Sequence, residues 1–195
     1  MILNIVDSGN PVLYQTMEDF DFKNPPTDPI QLANDLIETM IANKGIGLAA
    51  NQCGLPYRVF VLHSEKPLAV FNPRIVDQTS EFVQLEEGCL TYPHLFIKIK
   101  RPKVIKVRFQ DATGETHTEK FIGMTARGFL HEMDHLDGII FHKRASTPQL
   151  NKSLNQRKIL ERKLKRGEVY YKPVEMPSTG SALSFNTSND TITKE

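Results

Sequence analysis

Apolar positions along the chain change period twice. Ala33, Leu36, Ile37, Met40 and Ile41 recur at helical spacing behind Asp28 and Pro29. This predicts a core-facing helix with Asp28 as N-cap, Pro29 at the first helical position and Gln31 as capping-box partner. Residues 1–27 read as irregular, broken by Pro11, Pro25 and Pro26. From Arg58 to Gly123 the pattern becomes β-like. Arg58–Leu62, Leu68–Phe71, Glu81–Leu85, Leu95–Ile99, Lys103–Phe109 and Thr116–Ile122 are short runs rich in β-branched and aromatic residues. Asp111-Ala-Thr-Gly114 supplies a turn between the last two. Helical spacing returns over residues 125–136, where Phe129, Leu130, Met133 and Leu136 share an inward face. Gly128 within that helix marks close approach by a strand or ligand. Residues 148–167 form a third helix, mostly basic, with Leu150, Leu154, Ile159, Leu160 and Leu164 as a thin apolar stripe. The fold expected is α+β: short antiparallel strands around a central helix, with an N-terminal packing helix and a basic C-terminal helix.

Composition narrows the function classes. The 195 residues are 39% hydrophobic, somewhat low for a compact domain, so part of the chain is expected outside the core. The segments expected are a catalytic domain over 1–147, a basic helix over 148–172 and a disordered Ser/Thr/Asn-rich tail over 173–195. Net charge is +1, but it is unevenly spread: residues 1–40 are acidic and residues 150–172 strongly basic. Two cysteines, Cys53 and Cys89, are too few for a disulfide framework and fit a reducing compartment. The N-terminus lacks the pattern of a signal peptide. No apolar run approaches the ~20 residues that span a bilayer. The expectation is a cytoplasmic protein with no membrane association.

The chemistry centres on His131-Glu-Met-Asp-His-Leu-Asp-Gly138. Residues four apart on a helix lie above one another, so His131 and His135 can share one metal ion, with Glu132 within reach of a water beside it. Gly138 can end the helix. A third ligand remains to be found. The metzincin pattern would place a His at 141, which is Phe141, and His142 is one position late. A thermolysin-like Glu161 sits on the basic face Gln156-Arg-Lys-Ile-Leu-Glu-Arg-Lys163, where a solvated charge is the simpler reading. A cysteine thiolate beside two imidazoles makes a good transition-metal site with one open position. Cys89 follows a strand and Gly88, whereas Cys53 reads as a small buried residue. Spacing alone leaves both open.

Three motifs together resemble the peptide deformylase family. They are Gly45-Ile-Gly-Leu-Ala-Ala-Asn-Gln52, Glu87-Gly-Cys-Leu-Thr91 and His131-Glu-Met-Asp-His-Leu-Asp-Gly138, in the family's order, and the resemblance covers residues 1–145. Asn51 and Thr91 depart from the usual Pro and Ser. The resemblance implies Cys89, His131 and His135 as metal ligands, with iron(II) the expected metal; zinc, nickel and cobalt also suit such a site. It implies Glu132 as acid/base, with Gln52 and the Leu90 N–H as oxyanion donors. The reaction implied is removal of the formyl group from formyl-methionyl nascent peptides, releasing formate.

The resemblance also implies that substrate lies as an added strand beside residues 45–47 and 85–88, against Gly45, Gly47 and Gly88. For the methionine pocket, Ile46, Leu85, Leu90, Met124 and Gly128 are expected, with Arg127 at the rim. Glu87 is expected to hold the Cys89 strand through a basic group or backbone. The basic stretch 150–172 is a candidate ribosome contact.

Overall fold

A computed structural model describes residues 1–64 and 66–168. The order is α1 (Pro29–Ala42), β1 (Gly47–Ala49), β2 (Val59–Leu62), β3 (Leu68–Gln78), β4 (Phe82–Cys89), β5 (Tyr92–Pro102), β6 (Val104–Gln110), β7 (Thr116–Ile122), α2 (Gly123–Leu136) and α3 (Thr147–Lys165). Short 3-10 turns occupy Pro11–Tyr14, Ala50–Cys53 and Phe141–Arg144. The strands form a five-stranded antiparallel sheet, β1-β2-β3-β6-β7, and a two-stranded ribbon, β4-β5. This is the α+β arrangement expected.

Alternation on β2 explains the layering, because successive strand residues face opposite sides of a sheet. Val59 and Val61 join Leu36, Met40 and Phe71 beneath α1. Phe60 and Leu62 join Phe129, Met133 and Leu136 of α2 on the other side. The rings of Phe60 and Phe121 meet Phe129 with centroids 4.9 and 5.4 Å apart. Beyond α2 lies the ribbon. Leu95, Ile97 and Ile99 of β5 pack with Leu13, Ile140 and Phe141, and with Leu150 and Leu154 of α3. The central helix therefore has one face in the apolar core and another toward the ribbon.

Several local expectations need correction. Asp28 caps α1 by accepting from Ile30 N and Gln31 N. Gln31 does not close a capping box; its amide donates forward to Asp35 (2.7 Å). Ile41, placed on the core stripe, is 53% exposed at the stripe's edge, and Leu32 fills the core instead. Strands β3, β4 and β5 run several residues beyond the predicted segments, and β1 was not expected as a strand. Buried charges at inward positions, Glu87 of β4 and Arg101 of β5, interrupt the apolar face of the ribbon, and β1 is too short to show a period.

The C-terminal end of α2 is bound by side chains from distant segments. Asn51 Nδ2 donates to His135 O (2.6 Å) and Arg58 Nη1 pairs with Asp137 (2.8 Å). Gly138, at φ +68°, ends the helix where a Cβ would lie 2.7 Å from the Tyr14 backbone, so only glycine fits. Among the described residues no helix is long and apolar enough to cross a membrane. The expected tail over 173–195, and residues 169–172 of the basic segment, lie outside the described residues.

Candidate metal centre

Helix α2 and the end of β4 build the site. His131 and His135 stack one turn apart, and the register between β4 and β5 breaks between Glu87 and Cys89. That irregularity contains Gly88, where a Cβ would sit 2.8 Å from the Phe96 ring. The Cys89, His131 and His135 ligand atoms all fall within 4.8 Å of one another. Cys89 Sγ lies 3.2 Å from His135 Nε2. A tetrahedral cation with thiolate and imidazole bonds of about 2.3 and 2.0 Å sets such donors about 3.5 Å apart, so the set fits a divalent transition metal. Cys53 stands apart in the α1 core, and burial pushes its thiol up to about 11. Asp111, Glu115 and His117 also converge, on the β6–β7 hairpin, but there Asp111 Oδ1 already accepts from the backbone of Thr113 and Glu115. Glu161 pairs with Arg157 on α3 (2.9 Å) and takes no part.

Electrostatics prepare the ligands. Burial opposes ionisation of Cys89, but the two histidines beside it hold its thiol well below the ordinary value. Glu87 is also buried, yet Arg101 and His131 keep it ionised, with its pKa lowered to about 2. As a carboxylate, Glu87 can only accept, so the 3.1 Å contact from His131 Nδ1 makes that nitrogen the donor. His131 Nε2 is thereby left for a metal. Glu87 also receives Arg101 Nε (2.7 Å), Arg101 Nη2 (2.8 Å) and Arg127 Nη1 (2.6 Å). The other arm of Arg101 reaches Asp134 of α2 (2.8 Å), and Arg144 binds the same carboxylate. Arg101 therefore ties the cysteine strand to the histidine helix.

Glu132 is 3% exposed, and its Oε2 has no hydrogen-bond partner. Burial pushes its carboxyl up to about 7, within the range of a proton carrier at neutral pH. Gly47 makes room for it: a Cβ there would lie 2.4 Å from Glu132 Oε1. Gln52 is oriented at both ends of its amide. Its Oε1 accepts from Ala49 N (2.9 Å), and its Nε2 donates to Thr91 Oγ1 (3.1 Å), 3.5 Å from Cys89 Sγ.

A cavity of about 450 Å³ opens onto these groups. Gly45, Ile46 and Gly47 line it from β1 and its approach, Glu87, Gly88, Cys89 and Leu90 from β4 and the turn after it, and Met124, Arg127 and Gly128 from α2. Gln52, His131 and Glu132 also line it; His135 lies behind, 1% exposed. Two expected pocket residues are placed differently. Leu85 is 40% exposed and outside the lining. Arg127 is no rim residue: it is buried, donating to Glu87, Ile99 O (3.0 Å) and Val83 O (2.6 Å). Sequence reasoning missed Arg101, although parity with Leu95, Ile97 and Ile99 sets it on the inward face of β5, an unusual place for an arginine. It also missed Asn51 as a helix-end donor and Thr91 as the anchor of Gln52.

A buried thiolate and two imidazoles beside an unpartnered carboxylate, at the end of an apolar cavity, define a metal-dependent hydrolase. Comparison with known proteins agrees and narrows the class. The family model for polypeptide deformylase matches residues 2–151. A peptide deformylase of Pseudothermotoga lettingae is 40% identical over 141 residues, covering 72% of this chain and 81% of its own. The crystal structure of a Thermus thermophilus peptide deformylase superposes with a TM-score of 0.75 at 35% identity, over 85% of this chain and 99% of that one. A Met-Ala-Ser-bound class I type b peptide deformylase from Acinetobacter baumannii gives 0.70 at 28% identity, over 74% and 99%. The chain belongs to the polypeptide deformylase family.

Proposed function

We propose that this chain removes the formyl group from the formyl-methionine that begins nascent polypeptides, releasing formate. The observation carrying this reading is the placement of Glu132 and the Gln52 amide beside the Cys89–His131–His135 set at the end of the cavity. Cys89, His131 and His135 would hold the metal, here proposed as iron(II) by family resemblance, with zinc, nickel or cobalt able to occupy the same donors. Bound there, a divalent cation supplies an activated water at neutral pH and polarises the formyl oxygen.

The remaining chemistry belongs to the chain. Glu132 accepts a proton as water adds to the formyl carbon. Negative charge on the former carbonyl oxygen is met by Gln52 Nε2 and the Leu90 N–H; one such donor contributes about two to three orders of magnitude in rate. As the carbon–nitrogen bond breaks, Glu132 returns the proton to the departing amine, leaving formate and a free methionyl N-terminus. β1 is an edge strand of the five-stranded sheet and β4 an edge of the ribbon, so an extended peptide can pair with either edge at the cavity. The methionine side chain would occupy the space beside Ile46, Leu90, Met124 and Gly128. Formate release from formyl-Met-Ala-Ser, compared between wild type and Glu132→Ala, tests the mechanism; equal rates would refute it.

The finer organisation belongs to the same proposal: a cytoplasmic catalytic unit over 1–147, and a basic α3 presented to ribosomal RNA near emerging substrate. In support, Lys152, Lys158, Arg162, Lys163, Lys165 and Arg166 of the α3 segment are all exposed. Unchanged ribosome co-sedimentation after deletion of residues 148–195 would remove the docking role.

A further inference from the structure

The cavity extends past the reactive groups to Asn43 and Lys44, just beyond α1. Lys44 adopts a left-handed conformation, φ +55°, which glycine or asparagine takes with less strain. Lys44 N donates to Ile41 O (3.0 Å) and Gly45 N to Met40 O (2.9 Å), fixing this turn at the cavity mouth. A non-glycine residue held in this region at a site margin points to a use for its side chain. Lys44 is exposed, and its ammonium has no carboxylate partner among the described residues. Of the other charges lining the cavity, exposed Glu86 stands directly opposite Lys98 in the ribbon register, with Gln84 opposite Lys100. That wall is therefore balanced or positive, and Lys44 is left uncompensated.

Direction follows from Gly47, which abuts Glu132, while Gly45 abuts Leu90. A peptide whose formyl carbon meets Glu132 passes its methionine by Ile46. Its next two residues then run toward Gly45 and Lys44, at about 3.3 Å per residue.

We propose that Lys44 is a specificity-determining residue that favours nascent chains with Asp or Glu in the two positions after the methionine; this rests on the deformylase reading above. The test compares kcat/KM for formyl-Met-Asp-Ala and formyl-Met-Ala-Asp with their lysine counterparts. Wild type should prefer aspartate in at least one position by roughly 3- to 10-fold, chiefly through KM, with the preference shrinking at high salt. Lys44→Glu should invert the ratio. Lys44→Asn, which suits the left-handed turn, should bring it close to one. Equal use of aspartate and lysine peptides by wild type, or a preference unchanged in both variants, would overturn the inference while leaving the deformylase reading intact. Failure to release formate from any of the peptides would refute that reading, and this inference with it.

Discussion

Gly47→Ala isolates the geometric claim about Glu132. The new Cβ would lie 2.4 Å from Oε1, 2.9 Å from Cδ and 3.0 Å from Cγ of Glu132. Unstrained carbon contacts need roughly 3.5 Å, so the carboxylate must retreat by about 1 Å. Little else can yield, because Gly47 is pinned opposite Leu62 in the sheet and Glu132 is enclosed. Misplacing a catalytic group by about 1 Å costs on the order of 100-fold. Overpacking costs about 1–3 kcal/mol, partly offset by the lost freedom of glycine in the unfolded chain. The variant should therefore fold with a modestly lower Tm, keep its metal, and lose about 100-fold in kcat/KM on formyl-Met-Ala-Ser. A folded Gly47→Ala enzyme within a few-fold of wild type would show that the carboxylate does not act from this position.

Gly128→Ala is the contrasting case, since its Cβ meets only Leu62 Cδ2, at 3.4 Å. Helix propensity should add up to about 1 kcal/mol, a Tm gain of about 2–4 °C, while the methyl in the cavity wall raises KM. Glu87→Ala strips a carboxylate from two buried guanidiniums and should cost about 3–5 kcal/mol in thermal or denaturant unfolding. Glu87→Gln keeps the shape and should weaken metal retention against a chelator by about 10- to 100-fold. Partial burial opposes ionisation of Asp111, yet hydrogen bonds from Thr113 and His117 hold its pKa at about 2, against 3.8 unperturbed. A depressed carboxylate stabilises the fold above its unfolded pKa and loses that contribution as pH falls through its folded one. Asp111→Asn should therefore flatten the stability profile between about pH 4 and 2, as read by unfolding midpoints at successive pH values.

What could be read from the sequence was local. His131 and His135 lie one turn apart on one face of a single helix with Glu132 beside them, and Asp28 and Pro29 announce the start of α1 within a few residues. The fate of Arg127 could not be read, because its partners Glu87, Val83 and Ile99 lie 28 to 44 residues away, and only the docking of the ribbon on α2 brings them together. Arg101 was half legible: strand parity turns it inward, but its two carboxylates come from different elements. β1 carries no periodic signal of its own and becomes a strand because β2 pairs with it. Leu85 was misplaced because parity alone does not say where along β4 the cavity begins.

The central claim is that Cys89, His131 and His135 hold the metal on which deformylation depends. Metal content and formate release from formyl-Met-Ala-Ser, measured together on anaerobically purified wild type and Cys89→Ala, test it most directly. Wild type should carry one divalent transition metal per chain and release formate, and Cys89→Ala should lose both together. A Cys89→Ala protein that retains its metal and releases formate at the wild-type rate would contradict the account.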